Sequence, residues 1–241
     1  LEQMRDDFLH MLVHDLRNPL SNIQNALRFI SDPMMQDMSE EIIDIARTNA
    51  DRILKLVNTI LEIGKLEAQQ IQLEEEPVVL GKIIEKTVQD LMLSQQPFSF
   101  KTIIPHEMPK VWADPAILMR VLDNLLGNAS KFAPEGGLVR VTVAHQEDTA
   151  RVSVYNNGPP FSPEIEDHLF QKFSPGDYES RGYGLGLAFC RLAVEAHGGE
   201  IHAVNELEGG VSFIFTLPLY TGQDIAGNVF LTNFDDLEFD L

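Results

Sequence analysis

Cysteine is almost absent from this chain of 241 residues, which contains Cys190 alone. A single thiol cannot form an internal disulfide, and this pattern is typical of a protein in a reducing compartment. Because Cys190 falls in an apolar helical run, we expect a buried, unreactive thiol rather than a nucleophile.

The sequence also lacks long hydrophobic runs. No apolar stretch approaches the ~18 residues that a membrane-spanning helix requires, and no signal peptide is recognisable. The chain begins with a leucine, so we expect it to be part of a longer protein whose preceding part can carry a membrane anchor. We expect the fragment itself to be cytoplasmic and to make no contact with a membrane.

Basic residues are scarce. The sequence has 18 lysines and arginines against 37 aspartates and glutamates, which gives a formal net charge of −19. Nucleic-acid binding requires a basic patch, and an acidic surface is repelled by anionic lipid. We therefore expect no nucleic-acid partner, whereas a nucleotide site remains compatible because nearby cations outweigh a screened, distant field.

Apolar residues recur three or four positions apart in the N-terminal part, which predicts two amphipathic helices. The first covers residues 1–30 and is stopped by residues 31–33; the second runs from about Ser39, which can cap it, to Ala68. A short connection predicts an antiparallel hairpin, and two copies can pair into a four-helix bundle. Asn49 interrupts the second stripe and either sets the register of the bundle or lies in a solvated gap.

Residues 71–220 interleave short strands with a few long helices. This predicts an α/β sandwich with helices on one face of a mixed sheet. The expected helices cover residues 79–93, 115–132 and 185–196, and the expected strands cover residues 98–104, 110–113, 139–145, 150–155, 200–204 and 211–217. Acidic residues followed by Pro77 mark the boundary with the hairpin. The fold class is therefore α+β, with one domain at residues 1–70 and another at 71–220.

The last segment, residues 221–241, combines acidic and large apolar side chains without a lysine or arginine. This composition predicts either a solvated terminus or a docking segment whose aromatic side chains settle in a groove. We therefore expect a third region, separate from the sandwich.

His14 and Asp15 stand in the sequence between Leu12 and Leu16 of the first apolar stripe, and His14 falls on the opposite side of the predicted helix. At roughly 100° per residue, His14 is about 160° from Leu12 and Leu16, so its imidazole should face solvent. Asn18, one turn later, shares that face. This arrangement indicates either an ordinary solvated histidine or a reactive imidazole with a carboxylate beside it.

Four further clusters carry residues suited to binding a nucleotide. Asn124, Asn128 and Lys131 share one face of a predicted helix, where an amide oxygen and an ammonium can hold Mg²⁺ and a triphosphate, or simply face solvent. Asn156 and Gly158 follow a strand, where they can meet a flat base edge or form a plain turn. The other two clusters are Phe170, Lys172 and Phe173, and the glycines Gly182, Gly184 and Gly186 before a helix, whose N–H groups can approach phosphates.

Together and in this order, the clusters resemble the motifs of two-component sensor histidine kinases. Residues 14–20 look like the H box, 124–132 like the N box, 169–173 like the F box and 182–187 like the G2 box, while 156–160 stand where the G1 box belongs. The resemblance covers about residues 5–218. It implies a dimerisation and phosphotransfer domain followed by a catalytic ATP-binding domain.

By this resemblance, His14 is the phosphoacceptor, Asp15 its base, and Asn18 helps orient water that dephosphorylates the partner regulator. The positions implied in ATP binding are Asn124, Asn128, Lys131, Asn156, Gly158, Lys172, Gly182, Gly184, Leu185 and Gly186, with Asn128 also holding Mg²⁺. The implied partners are a second copy of the chain and the receiver domain of a response regulator, whose aspartate takes the phosphoryl group. His10, one turn before His14, is a rival acceptor by geometry.

The G1 region departs from the family pattern, since Asn156 stands in place of an aspartate and Pro160 in place of the second glycine. Asn156 can still accept a hydrogen bond from the adenine amino group, but without charge assistance. Pro160 removes one N–H and fixes φ near −65°. Three functions remain: an ATP-dependent histidine kinase, a degenerate kinase acting as a phosphatase or signalling scaffold, and a non-enzymatic dimeric adaptor.

Overall fold

The computed structural model describes most of the chain. The described residues are 2–30, 38–68, 70–94, 99–162, 165, 168–171 and 185–222. They fall into two compact units, one from Leu1–Gln72 with Phe161–Leu192 and one from Leu73–Pro160 with Ala193–Leu241. The turn predicted at residues 31–33 and nearly all of segment 221–241 lie outside the described residues. Within the part of the chain that is described, no helix is both long enough and apolar enough to cross a membrane.

The first unit contains a hairpin of two long helices, α1 (Glu2–Ile30) and α2 (Ser39–Glu67), which pack along each other. Both predicted helices are confirmed. The predicted cap is wrong: Met38 holds the capping position without a side-chain hydrogen bond, and Ser39 is already the first helical residue. A residue inside the helix cannot fold its hydroxyl back onto the N–H groups of the first turn.

Asn49 joins the two helices of the hairpin. Its side chain is 5% exposed, its Nδ2 donates to the carbonyl oxygen of Ile45 at 2.7 Å, and its Oδ1 accepts from Nδ2 of Asn22 at 3.2 Å. The solvated gap considered above is therefore wrong. A slip of α1 along α2 would leave a buried amide unpaired, so this bond favours one register.

The hairpin leaves part of its apolar surface exposed. Large apolar side chains of the hairpin that are between 48% and 60% exposed include Val13, Leu20, Leu27 and Phe29 on α1 and Ile43, Ile45, Leu54 and Leu61 on α2. Three members of the apolar stripe predicted for α1, Leu20, Leu27 and Ile30, thus lie outside the hairpin core, whereas Pro19 and Ala26 are buried. The spacing of seven residues between Val13, Leu20 and Leu27 is that of a coiled-coil seam.

The second unit is built on a mixed five-stranded sheet, as predicted. The strands of the unit are β1 (Glu76–Val78), β2 (Ser99–Ile103), β3 (Val111–Ala113), β4 (Leu138–Gln146), β5 (Thr149–Asn156), β6 (Ile201–Asn205) and β7 (Val211–Pro218). The large sheet has the order β2-β4-β5-β7-β6, with β2 parallel to β4 and the other pairs antiparallel. Central β5 alternates between buried and more exposed residues, so one of its faces packs against the core.

Strand β1 was not predicted from the sequence. It pairs antiparallel with β3 in a separate two-stranded sheet, in which Pro77 lies opposite Trp112. Proline has no N–H for a sheet ladder, so it is confined to edges, where one side of the strand needs no partner. The indole Nε1 of Trp112 donates to Oε2 of Glu75 at 3.1 Å, so an acidic residue of the predicted boundary takes part in the fold.

Three helices complete the described residues: α3 (Leu80–Ser94), α4 (Pro115–Phe132) and α5 (Gly186–Ala196). All three agree with the predicted ranges to within a residue or two. Helix α4 packs on β4 and β5 and against α3, through leucines spaced three or four apart that are at most 2% exposed: Leu118, Leu122, Leu125 and Leu126. Each stabilises the fold by about 1.5–3 kcal/mol relative to an exposed side chain. Cys190 in α5 is fully buried, as expected.

Asp114 caps α4. Its Oδ1 accepts hydrogen bonds from the backbone nitrogens of Ala116 at 2.9 Å and Ile117 at 3.1 Å. Its Oδ2 accepts from the backbone nitrogen of Glu74 at 3.1 Å. One carboxylate therefore holds both the start of α4 and the segment that leads into β1.

His197 extends this network to the residue after α5. Its Nε2 accepts from the backbone N–H of Asp114 at 3.0 Å, and its Nδ1 lies 2.7 Å from the carbonyl oxygen of Ala193. A neutral imidazole with its proton on Nδ1 satisfies both contacts at once. The side chain is 5% exposed, so it is held inside the unit.

We expect Asp114→Ala to lower the free energy of unfolding by about 2–3 kcal/mol, because three backbone N–H groups lose a charged acceptor. Asp114→Asn should lose less, since an amide oxygen still caps the helix. Asp90→Ala, an exposed aspartate in α3, is the matched control and should change stability by at most about 0.5 kcal/mol. Chemical denaturation followed by circular dichroism measures the difference; equal stability of the Asp114→Ala and Asp90→Ala proteins would contradict the proposed role.

Candidate functional site

His14 lies on the exposed face of α1, as the helical periodicity predicts. Its side chain is 66% exposed, and its Nδ1 is 3.1 Å from Oδ1 of Asp15. Because a carboxylate accepts hydrogen bonds, the neutral imidazole that makes this bond carries its proton on Nδ1 and keeps the lone pair on Nε2. The pair thus presents a nucleophilic nitrogen next to a carboxylate that stabilises the cation formed on attack.

Asn18 and Pro19 follow one turn after His14. Asn18 is exposed, and Pro19 is buried within the helix. Proline has no N–H to donate to the carbonyl four residues earlier, which belongs to Asp15. The helical hydrogen bonding is therefore interrupted directly beside the imidazole. The side chain of the rival acceptor, His10, lies outside the described residues.

Helix α4 carries the predicted polar face of Asn124, Asn128 and Lys131. The Nδ2 of Asn124 donates to the carbonyl oxygen of Arg120 at 3.0 Å, so the amide oxygen is the atom left to bind a cation or water. Asn128, one turn later, is half-buried. The face therefore offers neutral oxygen ligands.

Lys131 supplies a cation at the end of this face. Its Nζ lies 4.8 Å from the ring centroid of Phe132, a distance at which the ring attracts the ammonium. The side chain reaches solvent, yet the surrounding protein removes enough water from the ammonium to lower the pKa of Lys131 below its usual range. A phosphate group nearby would offset this desolvation and raise the pKa again.

A metal site made of protein side chains alone is not found among the described residues, which contain no cluster of three or more histidine, cysteine, aspartate or glutamate side chains suited to one. An Mg²⁺ ion retains several waters and commonly shares its remaining positions between one or two protein oxygens and substrate phosphates. The amide oxygen of Asn128 fits such a partial site. It does not fit a cation held by the protein alone.

Asn156 ends β5 and is held between two strands, opposite Val139 of β4 and Val211 of β7. Its side chain is 1% exposed, and Nδ2 has no hydrogen-bond partner among the described residues. An unpaired buried amide costs about 1–3 kcal/mol. No group of the described residues uses this donor, so it is available to a ligand or to water.

Gly158 brings the end of β5 against the end of α4. A Cβ at this position would overlap the carbonyl oxygen of Phe132 and lie 2.6 Å from Nδ2 of Asn156. The position therefore has no room for a side chain, and the backbone lies beside the unpaired amide.

Sequence reasoning missed the part played by Asn157. Its Oδ1 accepts from the backbone nitrogen of Leu138 at 2.8 Å, and its own N–H donates to the carbonyl oxygen of Leu138 at 3.2 Å. These two bonds fix the turn after β5 to the start of β4. An asparagine directly after a strand is a signal for such a turn, but its partner is 19 residues away and cannot be read from the sequence.

Several predicted site residues are described only in part. Lys172, Gly182 and Gly184 lie outside the described residues. Leu185 is 2% exposed, and its carbonyl oxygen accepts from the backbone nitrogen of Phe189 at 2.9 Å. Leu185 and Gly186, the first residue of α5, therefore start that helix.

We expect Gly158→Ala to destabilise the protein by about 1–3 kcal/mol, because the new methyl group overlaps backbone atoms that cannot move freely. Gly127→Ala in α4 is the matched control: a Cβ there meets nothing within 4 Å, and the helix should gain about 0.5–1 kcal/mol. Chemical denaturation of both proteins checks the difference. A Gly158→Ala protein as stable as the unsubstituted chain would show that the backbone can yield here.

The sequence matches two family models. Residues 113–221 match the histidine kinase-, DNA gyrase B-, and HSP90-like ATPase family. Residues 4–69 match the His Kinase A (phospho-acceptor) domain family. The first matched region contains α4 and Asn156, and the second contains His14.

Curated proteins share sequence with nearly the whole chain. The chain is 29% identical over 224 residues to the sensor protein KdpD of Clostridium acetobutylicum, covering 90% of this chain and 25% of that protein. It is 31% identical over 225 residues to the adaptive-response sensory kinase SasA of Synechococcus sp. (strain JA-2-3B'a(2-13)), covering 90% of this chain and 60% of that protein. The chain thus spans between a quarter and three fifths of the length of these relatives.

Solved structures share the fold. Full-length ShkA in complex with AMPPNP has a TM-score of 0.68 and 26% identity, covering 89% of this chain and 46% of that one. The catalytic domain of the histidine kinase ThkA has a TM-score of 0.55 and 31% identity, covering 61% of this chain and 97% of that one. ThkA in complex with the response regulator protein TrrA has a TM-score of 0.66 and 26% identity, covering 89% of this chain and 61% of that one.

Proposed function

The chain belongs to the two-component sensor histidine kinases, and we propose that it takes the γ-phosphoryl group of ATP on His14 and passes it to a response-regulator aspartate. The observation that carries the proposal is the exposed His14–Asp15 pair, with Nδ1 held by the carboxylate. The similar kinase ThkA is known in complex with a response regulator, which supports a receiver domain as the partner. Residues 1–70 would form the dimerisation and phosphotransfer domain, 71–220 the catalytic domain and 221–241 a separate tail.

The geometry of the pair fits a single displacement step. The lone pair of Nε2 attacks the γ-phosphorus, an N–P bond forms, and the bond to the bridging oxygen breaks as ADP leaves. Positive charge develops on the imidazole of His14 during attack, and the carboxylate of Asp15 stabilises it and can take the Nδ1 proton. An exposed Nε2 also allows the receiver domain to collect the phosphoryl group afterwards.

We assign the nucleotide to the polar face of α4 and the end of β5. Asn156 and Gly158 would meet the base, because the first has an unpaired buried donor and the second lies beside that donor without a side chain. Asn124, Asn128 and Lys131 would meet the phosphates. The remaining assignments, Lys172, Gly182, Gly184, Leu185 and Gly186, rest on the family motifs. The AMPPNP complex of the similar protein ShkA supports an adenine nucleotide as the ligand.

Mg²⁺ would accompany the nucleotide, with the amide oxygen of Asn128 as a protein ligand. The ion would neutralise negative charge on the phosphates. Lys131, whose pKa is lowered by burial, would gain a compensating anion at the same place.

The exposed apolar seam of the hairpin supports a homodimer. Val13, Leu20 and Leu27 repeat every seven residues on α1, and Leu54 and Leu61 do so on α2. Apolar side chains at this spacing are typical of helices that pack against further helices. A second copy of the hairpin would bury them in a four-helix bundle.

A second candidate function is that of a phosphatase or signalling scaffold with weak ATP binding. The replacement of the expected aspartate by Asn156 favours it, since a neutral amide binds the adenine amino group less strongly than a carboxylate. Asn18, exposed one turn after His14, would then orient water against the phosphorylated receiver domain. A purely structural adaptor needs neither of these asparagines nor the His14–Asp15 pair.

Incubation with ATP labelled on the γ-phosphate and Mg²⁺ tests the kinase. The chain should acquire a label that is labile in acid and stable in base, as expected for phosphohistidine, and His14→Gln should abolish it. His10→Gln is the matched control, because it removes the rival imidazole one turn away and should leave the label in place. Labelling that survives His14→Gln, or that is lost in the His10→Gln protein instead, would contradict the assignment. Labelling absent from the unsubstituted chain would favour the second candidate.

A further inference from the structure

Asn156 and Asn49 are the two buried asparagines among the described residues, and they differ in their hydrogen bonding. Asn49 uses both ends of its amide within the hairpin, and the Oδ1 of Asn157 accepts from the backbone of Leu138. Asn156 is more deeply buried than Asn49, yet its Nδ2 donates to nothing among the described residues. Within the described part of the chain, this donor is therefore left for a ligand or water.

The position of this amide is fixed. Ladder pairing with Val139 on one side and Val211 on the other holds the backbone of Asn156 at the end of the central strand. Gly158, two residues later, is also buried, and a Cβ there would overlap the carbonyl oxygen of Phe132 and lie 2.6 Å from Nδ2. The protein is therefore closely packed beside the amide, which keeps its place at the end of β5.

A primary amide differs from a carboxylate in what it can recognise. It presents one acceptor and two donor hydrogens, and a half-turn about its last bond exchanges the two ends, whereas an ionised carboxylate only accepts. Adenine has an amino donor at position 6 and an acceptor at N1. A 6-oxopurine has an acceptor at O6 and a donor at N1. An amide is complementary to both edges, but a carboxylate facing position 6 is repelled by O6.

We propose that the nucleotide site of this protein accepts 6-oxopurine nucleotides, those of guanine and hypoxanthine, as well as ATP, and that Asn156 sets this breadth. The inference rests on the proposed nucleotide-binding function and adds its base selectivity. A site discriminates strongly against a base when a mismatched base leaves buried polar groups unpaired. Neither class of purine leaves the Asn156 amide unpaired, so that source of discrimination is missing.

Calorimetric titration of the full chain with ADP, IDP and GDP in the presence of Mg²⁺ tests the proposal. IDP is the decisive probe, because hypoxanthine carries O6 but lacks the 2-amino group of guanine. Its binding therefore reports on hydrogen bonding at position 6 without the additional bulk of that amino group. We expect the dissociation constants of ADP and IDP to agree within about tenfold. Asn156→Asp should raise the preference for ADP over IDP by about a hundredfold, through weaker IDP binding and tighter ADP binding.

Asn157→Asp is the matched control. It makes the same chemical change one residue away, on an exposed side chain whose acceptor role toward Leu138 a carboxylate retains, so the ADP to IDP ratio should not change. Tight ADP binding with rejection of IDP by the unsubstituted chain, or an unchanged ratio in the Asn156→Asp protein, would overturn the inference alone. Failure of all three nucleotides to bind any of the proteins would overturn the proposed nucleotide site and the inference with it.

Discussion

The carboxylate of Asp114 is the constraint on which the second unit depends. It accepts three backbone hydrogen bonds, from Ala116 and Ile117 at the start of α4 and from Glu74 before β1. The backbone N–H of Asp114 donates to Nε2 of His197. The beginning of α4 is thereby tied to two segments that are distant in the sequence. Since α4 carries Asn124 and Asn128 and ends at Phe132, the placement of the candidate phosphate face and of the backbone beside Gly158 follows from this one cap.

The two ends of α4 differ in their hydrogen bonding. The polar groups named above around Asp114 are all hydrogen-bonded, whereas the Nδ2 of Asn156, near Phe132, has no partner among the described residues. A buried unpaired donor is a local loss that a well-packed core can tolerate, and such losses are typical of functional sites. The leucines of α4 and the valines of β4 and β5 supply that core. The N-terminal end of α4 thus contributes to stability, and its C-terminal end lies beside the candidate binding site.

The long elements of the fold could be predicted because their signals are local. Apolar spacing predicted α1 and α2 to within a residue or two, and the range predicted for α4 is the one observed. Strand β1 escaped prediction, because its proline and acidic residues are typical of a boundary, and only pairing with β3 makes it a strand. The exposure of Leu20 and Leu27 was also missed, since Pro19 and Ala26 fill the interior of the hairpin. At the candidate site, the sequence predicted that Asn124, Asn128 and Lys131 share one face of a helix. The contact of Gly158 with Phe132 could not be predicted, because it joins residues far apart in the sequence.

The unpaired amide of Asn156 should pair with the edge of a bound purine. A crystal structure of the chain with Mg²⁺ and AMPPNP would show this pairing. We expect Nδ2 or Oδ1 of Asn156 about 2.7–3.2 Å from N1 or the 6-amino group of the adenine, with the phosphates beside Asn128. An adenine bound elsewhere, with the Asn156 amide hydrogen-bonded to protein groups instead, would contradict it.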